Sequence, residues 1–137
     1  LIARHPLISV ASDGRSLSTE GVLSAGQPHP RSYGTNPRFL ARFVREGHLV
    51  SIEEAIRKMT SLPAERLGLT RRGRIAPGYA ADLVVFDPES VAETGTYEAP
   101  HSYAVGIPHV AVNGVMVIEN DRFTGQTPGV VIRGFGD

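Results

Sequence analysis

The sequence predicts an α/β start that gives way, after residue 72, to a small antiparallel sheet layer. Three observations carry this expectation. The apolar run Leu7-Ile8-Ser9-Val10-Ala11 suits a strand covered on both faces. Ser51-Ile52-Glu53-Glu54 is a capping box, and Ile52, Ala55, Ile56 and Met59 behind it keep the helical i, i+3, i+4, i+7 rhythm. Asn113-Gly114 joins Val110-Ala111-Val112 to Val115-Met116-Val117-Ile118, a strong hairpin signal because both turn residues must take positive φ.

Each element follows in order. A strand such as Leu7–Ala11 needs parallel neighbours, and no second run of that type stands near it. The chain also opens on Leu1 rather than Met, so the expectation is the tail of a longer protein or one piece of a divided one. Residues 14–36, rich in Gly, Ser and Pro, are expected to form a long irregular loop, a length that usually serves function. A helix is expected from about Pro37, with Asn36 as its cap; Phe39, Leu40, Phe43 and Val44 share one side, and Gly47 stops it. After the Ser51 helix, a short turn from Pro63 to Leu67 closes at Gly68. Pro77-Gly78 then turns into a strand over Ala81–Asp87, built on Leu83-Val84-Val85-Phe86. The Asn113-Gly114 hairpin follows, and a turn at 125–129 leads to a last expected strand, Val130–Arg133.

Composition bounds the class. A chain of 137 residues with 41% hydrophobic and 20% charged residues is long enough for one ordinary core. It has no cysteine, which excludes disulfides and thiolate metal ligands from this chain and fits a reducing compartment. No apolar stretch approaches the roughly 18 to 20 residues of a spanning helix, and Arg4, His5 and Pro6 break any leader-like run, so a cytoplasmic protein without a membrane partner is expected. Net charge is zero but unevenly placed. Residues 31–74 carry ten basic groups against four acids, and residues 75–137 carry two against eight, so the two parts can dock on one another. Arg38, Arg42 and Arg45 recur at helical spacing opposite apolar residues, the pattern of a solvated helix face; no nucleic-acid partner is expected.

The chain lacks His-x-His, His-Glu-x-x-His and a phosphate-cradling glycine loop, and Ser24 misses the nucleophile-elbow spacing by one residue. His5, His48, His101 and His109 stand alone in turn or strand contexts and read as structural. Two features remain. Asp13, in Ser12-Asp13-Gly14, ends the Leu7–Ala11 strand, where a carboxylate can point into a catalytic mouth; alone, Asp-Gly is most often only a turn. Downstream, His29-Pro30-Arg31-Ser32-Tyr33-Gly34-Thr35 gathers an imidazole, a guanidinium, two hydroxyls and a phenol on one stiffened loop. Arg31 can grip a carboxylate through two parallel hydrogen bonds; the bland alternative is a loop pinned by local bonds.

In order and spacing, Ser12-Asp13-Gly14, His29-Pro30-Arg31 with Gly34-Thr35, Ser51-Ile52-Glu53-Glu54-Ala55 with Met59-Thr60, and Pro77-Gly78 ahead of Ala81-Asp82-Leu83-Val84-Val85-Phe86-Asp87 resemble the C-terminal third of the N-acyl-D-amino-acid deacylases, or D-aminoacylases. The last stretch and the Asn113-Gly114 hairpin are shared with hydantoinases and dihydroorotases; the His29-Pro30-Arg31 segment points to the deacylases.

The resemblance implies the end of a metal-dependent (β/α)8 barrel over residues 1–72 and strands of a small, composite β-sandwich over 73–137. It implies Asp13 as general base and acid, taking a proton from the attacking water and giving it to the departing amine, and as a possible direct ligand of zinc. It implies Arg31 as the group that holds the α-carboxylate of an N-acyl-D-amino acid, with His29, Ser32 and Tyr33 as weaker substrate-binding candidates. A whole barrel takes about 250 residues, so the other zinc ligands would come from a missing N-terminal barrel segment or chain, and the isolated chain is expected to be inactive and metal-free. Two other readings stand beside this one: part of a hydantoinase- or dihydroorotase-like cyclic amidohydrolase, and a non-catalytic β-rich interaction module.

Overall fold

The computed structural model describes residues 2–132. Helices occupy the first half and one antiparallel sheet the second. Helix α1 (Arg31–Arg38) runs straight into a π-helical stretch, Phe39–Glu46; α2 (Ile52–Met59) and α3 (Ser61–Arg66) follow. Strands β1 (Leu83–Val85), β2 (His109–Val112), β3 (Val115–Glu119) and β4 (Arg122–Phe123) form a four-stranded sheet in sequential order. Among the described residues no helix is long and apolar enough to cross a membrane.

Local chemistry explains most boundaries. The Ser51 side chain accepts from the Glu54 amide at 3.3 Å and starts α2. The Glu54 carboxylate does not return the bond of a full capping box; it turns to Arg57 and Lys58 instead. Helix α3 ends in a Schellman motif, with Leu69 N donating to Ala64 O and Gly68 N to Glu65 O. The β2–β3 turn takes φ of 48° at Asn113 and 80° at Gly114, as the hairpin signal requires. A second such turn, Asn120-Asp121, has φ of 51° and 62° and folds β4 back on β3.

Three expectations are corrected. Leu7–Ala11 forms no strand: no other strand lies alongside it among the described residues, and Leu7 and Ile8 stay exposed. The segment is held instead by α2, whose Lys58 carbonyl accepts from Val10 N. Helix α1 begins at Arg31, not near Pro37, so the long loop ends early and contains a 3-10 turn at Gly21–Ser24. Pro37 lies inside α1; it offers no amide hydrogen to the Tyr33 carbonyl, and the helix widens from Phe39 onward. At the end, Val130–Ile132 take no strand, and Arg133 lies outside the described residues.

The core joins both halves. Leu40, Ala55 and Val91 are buried at its centre, and Ile56, Phe86 and Ile107 pack against them. Ion pairs cross between the oppositely charged parts, Arg38 to Glu93 and Arg72 to Asp82. Arg72 also donates to the Asn113 side chain at 3.0 Å, and Asp82 accepts from Asn113 N at 2.9 Å, which fastens the chain before β1 to the hairpin turn.

In the intact protein, Gly114→Ala should cost about 1–2 kcal/mol, because a side chain is forced into the left-handed region. A lower urea midpoint checks this, and an unchanged midpoint contradicts it. Glu54 makes a pH prediction. Its hydrogen bonds to Arg57, and after that to Lys58, hold its carboxyl down from the ordinary 4.5 to about 2. A depressed folded pKa stabilises above the ordinary value, and that contribution fades as pH falls from about 4.5 toward 2. Thermal midpoints of the wild type and Glu54→Gln should therefore converge over this window; a gap that stays constant refutes the assignment.

Candidate active site

The site grows from the start of α1. Pro30 already has helical angles (φ −53°, ψ −23°), and the His29 ring does the work of a cap: its Nδ1 accepts from Arg31 N at 3.0 Å. An accepting Nδ1 places the imidazole proton on Nε2, which lies 3.1 Å from the Tyr97 hydroxyl. The two rings meet edge to face with centroids 5.0 Å apart. Gln27 fastens the same corner by donating to the carbonyls of Tyr97 and Glu98 at 3.0 and 3.1 Å.

Arg31, fixed in this way, pairs with Asp13 at 2.8 Å. Asp13 sits at φ 48°, an angle Asp tolerates better than most residues. The following Gly14 is dictated by space: a Cβ there would stand 2.8 Å from the Ser32 Cα. Ser32 Oγ accepts from Arg15 N at 3.4 Å, which completes the seat of the Asp13 turn on α1.

A cavity of about 460 Å³ opens between α1 and residues 93–98, lined by His29, Arg31, Arg38, Phe39, Glu93 and Tyr97 among others. The lining includes the Arg38–Glu93 pair and the rings of Phe39 and Phe43, stacked with centroids 5.1 Å apart. Asp13 is not part of the lining and adjoins the cavity through Arg31. The Asp13 side chain is 85% exposed and that of Arg31 46%. A pair so open to water is worth no more than about 1 kcal/mol, so an anion entering the cavity can take Arg31 from Asp13 at little cost.

The structure thus brings Asp13, His29 and Arg31 together. Ser32 supports the Asp13 turn without lining the cavity. Tyr33 points the other way: its hydroxyl donates to Ser18 O at 2.8 Å, and its ring packs on Tyr103 and His101. Burial, and then the neighbouring Tyr103, push the Tyr33 phenol up. His5 and His109 accept from nearby amides, and His48 takes φ 47° at the end of the π-helical stretch.

Sequence reasoning missed Arg38, Glu93 and Tyr97. Arg42 behaves as its spacing predicts, paired with Glu46 on the helix surface. Arg38 and Arg45 instead reach across, Arg38 to Glu93 and Arg45 to the carbonyls of Pro88 and Val91. The available signal was Glu93-Thr94-Gly95-Thr96-Tyr97-Glu98, a charged and aromatic run between two strands.

Among the described residues, no three His, Cys, Asp or Glu side chains converge as a metal site. For an ion held mainly by other residues, Asp13 offers one exposed carboxylate.

Known proteins resemble this chain in sequence and fold. Residues 25–118 match the model of the amidohydrolase family. A D-aminoacylase of Alcaligenes xylosoxydans xylosoxydans is 47% identical over 116 residues, 85% of this chain and 24% of that protein. An N-acyl-D-aspartate deacylase of the same organism is 44% identical, over 96% of this chain and 25% of its own length. An N-acyl-D-glutamate deacylase from Bordetella bronchiseptica, solved with zinc and a phosphonate mimic of the tetrahedral intermediate, superposes with a TM-score of 0.74 at 43% identity, over 83% of this chain and 23% of that one. The chain spans about a quarter of the length of these relatives. On the match over residues 25–118, the chain belongs to the amidohydrolase family.

Proposed function

We propose that this chain is the C-terminal part of a zinc-dependent deacylase that hydrolyses N-acyl-D-amino acids to a carboxylate and the free D-amino acid. One observation carries the reading: Asp13 and Arg31, a proton acceptor and an anion holder, are brought within 2.8 Å beside a cavity. The named relatives support it, since two of them are an N-acyl-D-aspartate and an N-acyl-D-glutamate deacylase and the third is a D-aminoacylase. In this reading residues 1–72 are the end of a (β/α)8 barrel, its site loop and helices, in which Leu7–Ala11 becomes a strand only when the N-terminal segment pairs with it, and residues 73–137 belong to a β-sandwich. The missing N-terminal barrel segment completes both.

The roles follow from the side chains. Arg31 holds the α-carboxylate of the substrate with two charge-assisted bonds, and in doing so releases Asp13. His29, bonded to Arg31 N and Tyr97, fixes the main chain from which the Arg31 side chain reaches. Ser32 and Tyr33 brace the loop, Ser32 beneath the Asp13 turn and Tyr33 through Ser18. Asp13, freed, removes the proton from the attacking water and returns it to the departing amine nitrogen, so one carboxylate serves both steps. Zinc would be held mainly by residues beyond this chain, with the Asp13 carboxylate available as one ligand, and when bound would supply Lewis-acid polarisation of the carbonyl and of the water.

In the complete protein, Asp13→Asn keeps the shape and removes the base, so turnover should fall by about 10²- to 10⁴-fold. Near wild-type turnover ends the assignment. Arg31→Ala should raise KM for N-acyl-D-leucine or N-acyl-D-glutamate by about tenfold or more, the loss of a bond to a charged group, with kcat little changed. An equal rise for hydantoin, which carries no carboxylate, would move the reading to a cyclic amide. The isolated chain should neither hydrolyse N-acetyl-D-amino acids nor retain zinc on dialysis; doing either contradicts the proposal.

A further inference from the structure

Lys58 is the one charged side chain buried to 1% exposure among the described residues, and none of the roles above uses it. Its ammonium has three acceptors. Two are main-chain carbonyls of the segment leading to Asp13: Nζ donates to His5 O and, at 2.9 Å, to Ile8 O. The third is Glu54 Oε1 at 3.4 Å. The neighbouring Arg57 donates to Pro6 O at 2.6 Å, while two further bonds of 2.7 and 2.9 Å tie it to Glu54. The Lys58 carbonyl accepts from Val10 N at 3.0 Å. The last turn of α2 therefore holds residues 5, 6, 8 and 10, and Asp13 comes three residues later.

On its far side Asp13 is fixed by the Gly14–Ser32 contact and the Arg15–Ser32 bond. A non-glycine residue at φ 48° persists only where its surroundings over-determine it. Here the surroundings are two anchors, α1 downstream and the Lys58 turn upstream. An apolar side chain at position 58 would fill the same space but leave the His5 and Ile8 carbonyls without that donor, free to rotate about the segment axis.

We propose that Lys58 is a positioning residue for Asp13: its buried ammonium sets the rotation and height at which the chain presents the carboxylate. This rests on Asp13 being the proton carrier of the proposed reaction. The loss expected is large because a displacement of about 1 Å at a reacting group can cost about a hundredfold in rate.

The test uses the complete protein and compares Lys58→Met, Lys58→Arg, Asp13→Asn and the Lys58→Met/Asp13→Asn double variant. For each, kcat and KM for an N-acyl-D-amino acid are measured per zinc-loaded molecule, alongside zinc content and thermal midpoint. Lys58→Met should lower kcat at least about tenfold with KM within about twofold. Lys58→Arg, which keeps the charge and moves the donors, should lower kcat less while remaining folded. The double variant should be no slower than Asp13→Asn, because Lys58 acts through Asp13.

A merely structural lysine would lower the midpoint or zinc content yet leave kcat per loaded molecule unchanged, which overturns the proposal. Multiplying losses in the double variant overturn it as well. If Lys58→Met does not fold, full kcat in Lys58→Arg overturns it by itself. Full turnover in Asp13→Asn instead sinks the proposed function, and this proposal with it, whereas a crippled Asp13→Asn beside fully active Lys58 variants sinks only the positioning role.

Discussion

The accommodation of one buried ammonium governs how the helical half of this chain is put together. Removing a lysine charge from water costs several kcal/mol unless acceptors surround it, and Lys58 meets that demand with two main-chain carbonyls and one carboxylate. The apolar core is small by comparison, with Leu40, Ala55 and Val91 at its fully buried centre. Hydrophobic burial is non-directional: it draws α2 and the π-helical stretch together but does not choose which carbonyl faces which donor. The Lys58 and Arg57 bonds make that choice for residues 5–10, and so bring the Asp13 turn onto α1 rather than leaving it to wander.

The charged groups of the site are arranged in two tiers of strength. Lys58 is buried and interlocks with the half-buried Glu54 and Arg57, so they set geometry. Asp13 and Arg31 face water, and their pair is weak enough to exchange partners. The proposed deacylase reaction would need both properties in this order. The scaffold of the carboxylate must not move, while its resting partner must yield when a substrate anion arrives.

Much of this was readable in the residues, and what was not had physical causes. The Asn113-Gly114 turn, the Ser51 cap and the Gly68 stop are encoded within a few positions, so local chemistry declares them. The strand expected at Leu7–Ala11 is a different kind of object, since a strand is a property of a pair and the sequence shows one member only. The start of α1 was hidden because Pro37 looks like a first-turn proline, whereas the helix opens at Arg31, whose amide donates to the His29 ring, itself bonded to Tyr97, 68 residues away. Strand β4 has two residues, too few for any periodicity. Asp13 and Arg31 were singled out by residue type and position and given roles only through the family resemblance; their pairing is a tertiary fact. Arg38 was lost because a long side chain at helical spacing can lie along its own helix or reach across to Glu93, and sequence does not distinguish the two.

The central claim is that Asp13 leaves Arg31 for the reaction centre when substrate chemistry begins. A crystal structure of the complete protein with zinc and a phosphonate mimic of the tetrahedral intermediate reads this directly. The account predicts an Asp13 oxygen within about 2–3 Å of zinc or of the mimic's attacking oxygen, and Arg31 on the carboxylate of the ligand. An Asp13 still paired with Arg31 and remote from the metal would contradict it.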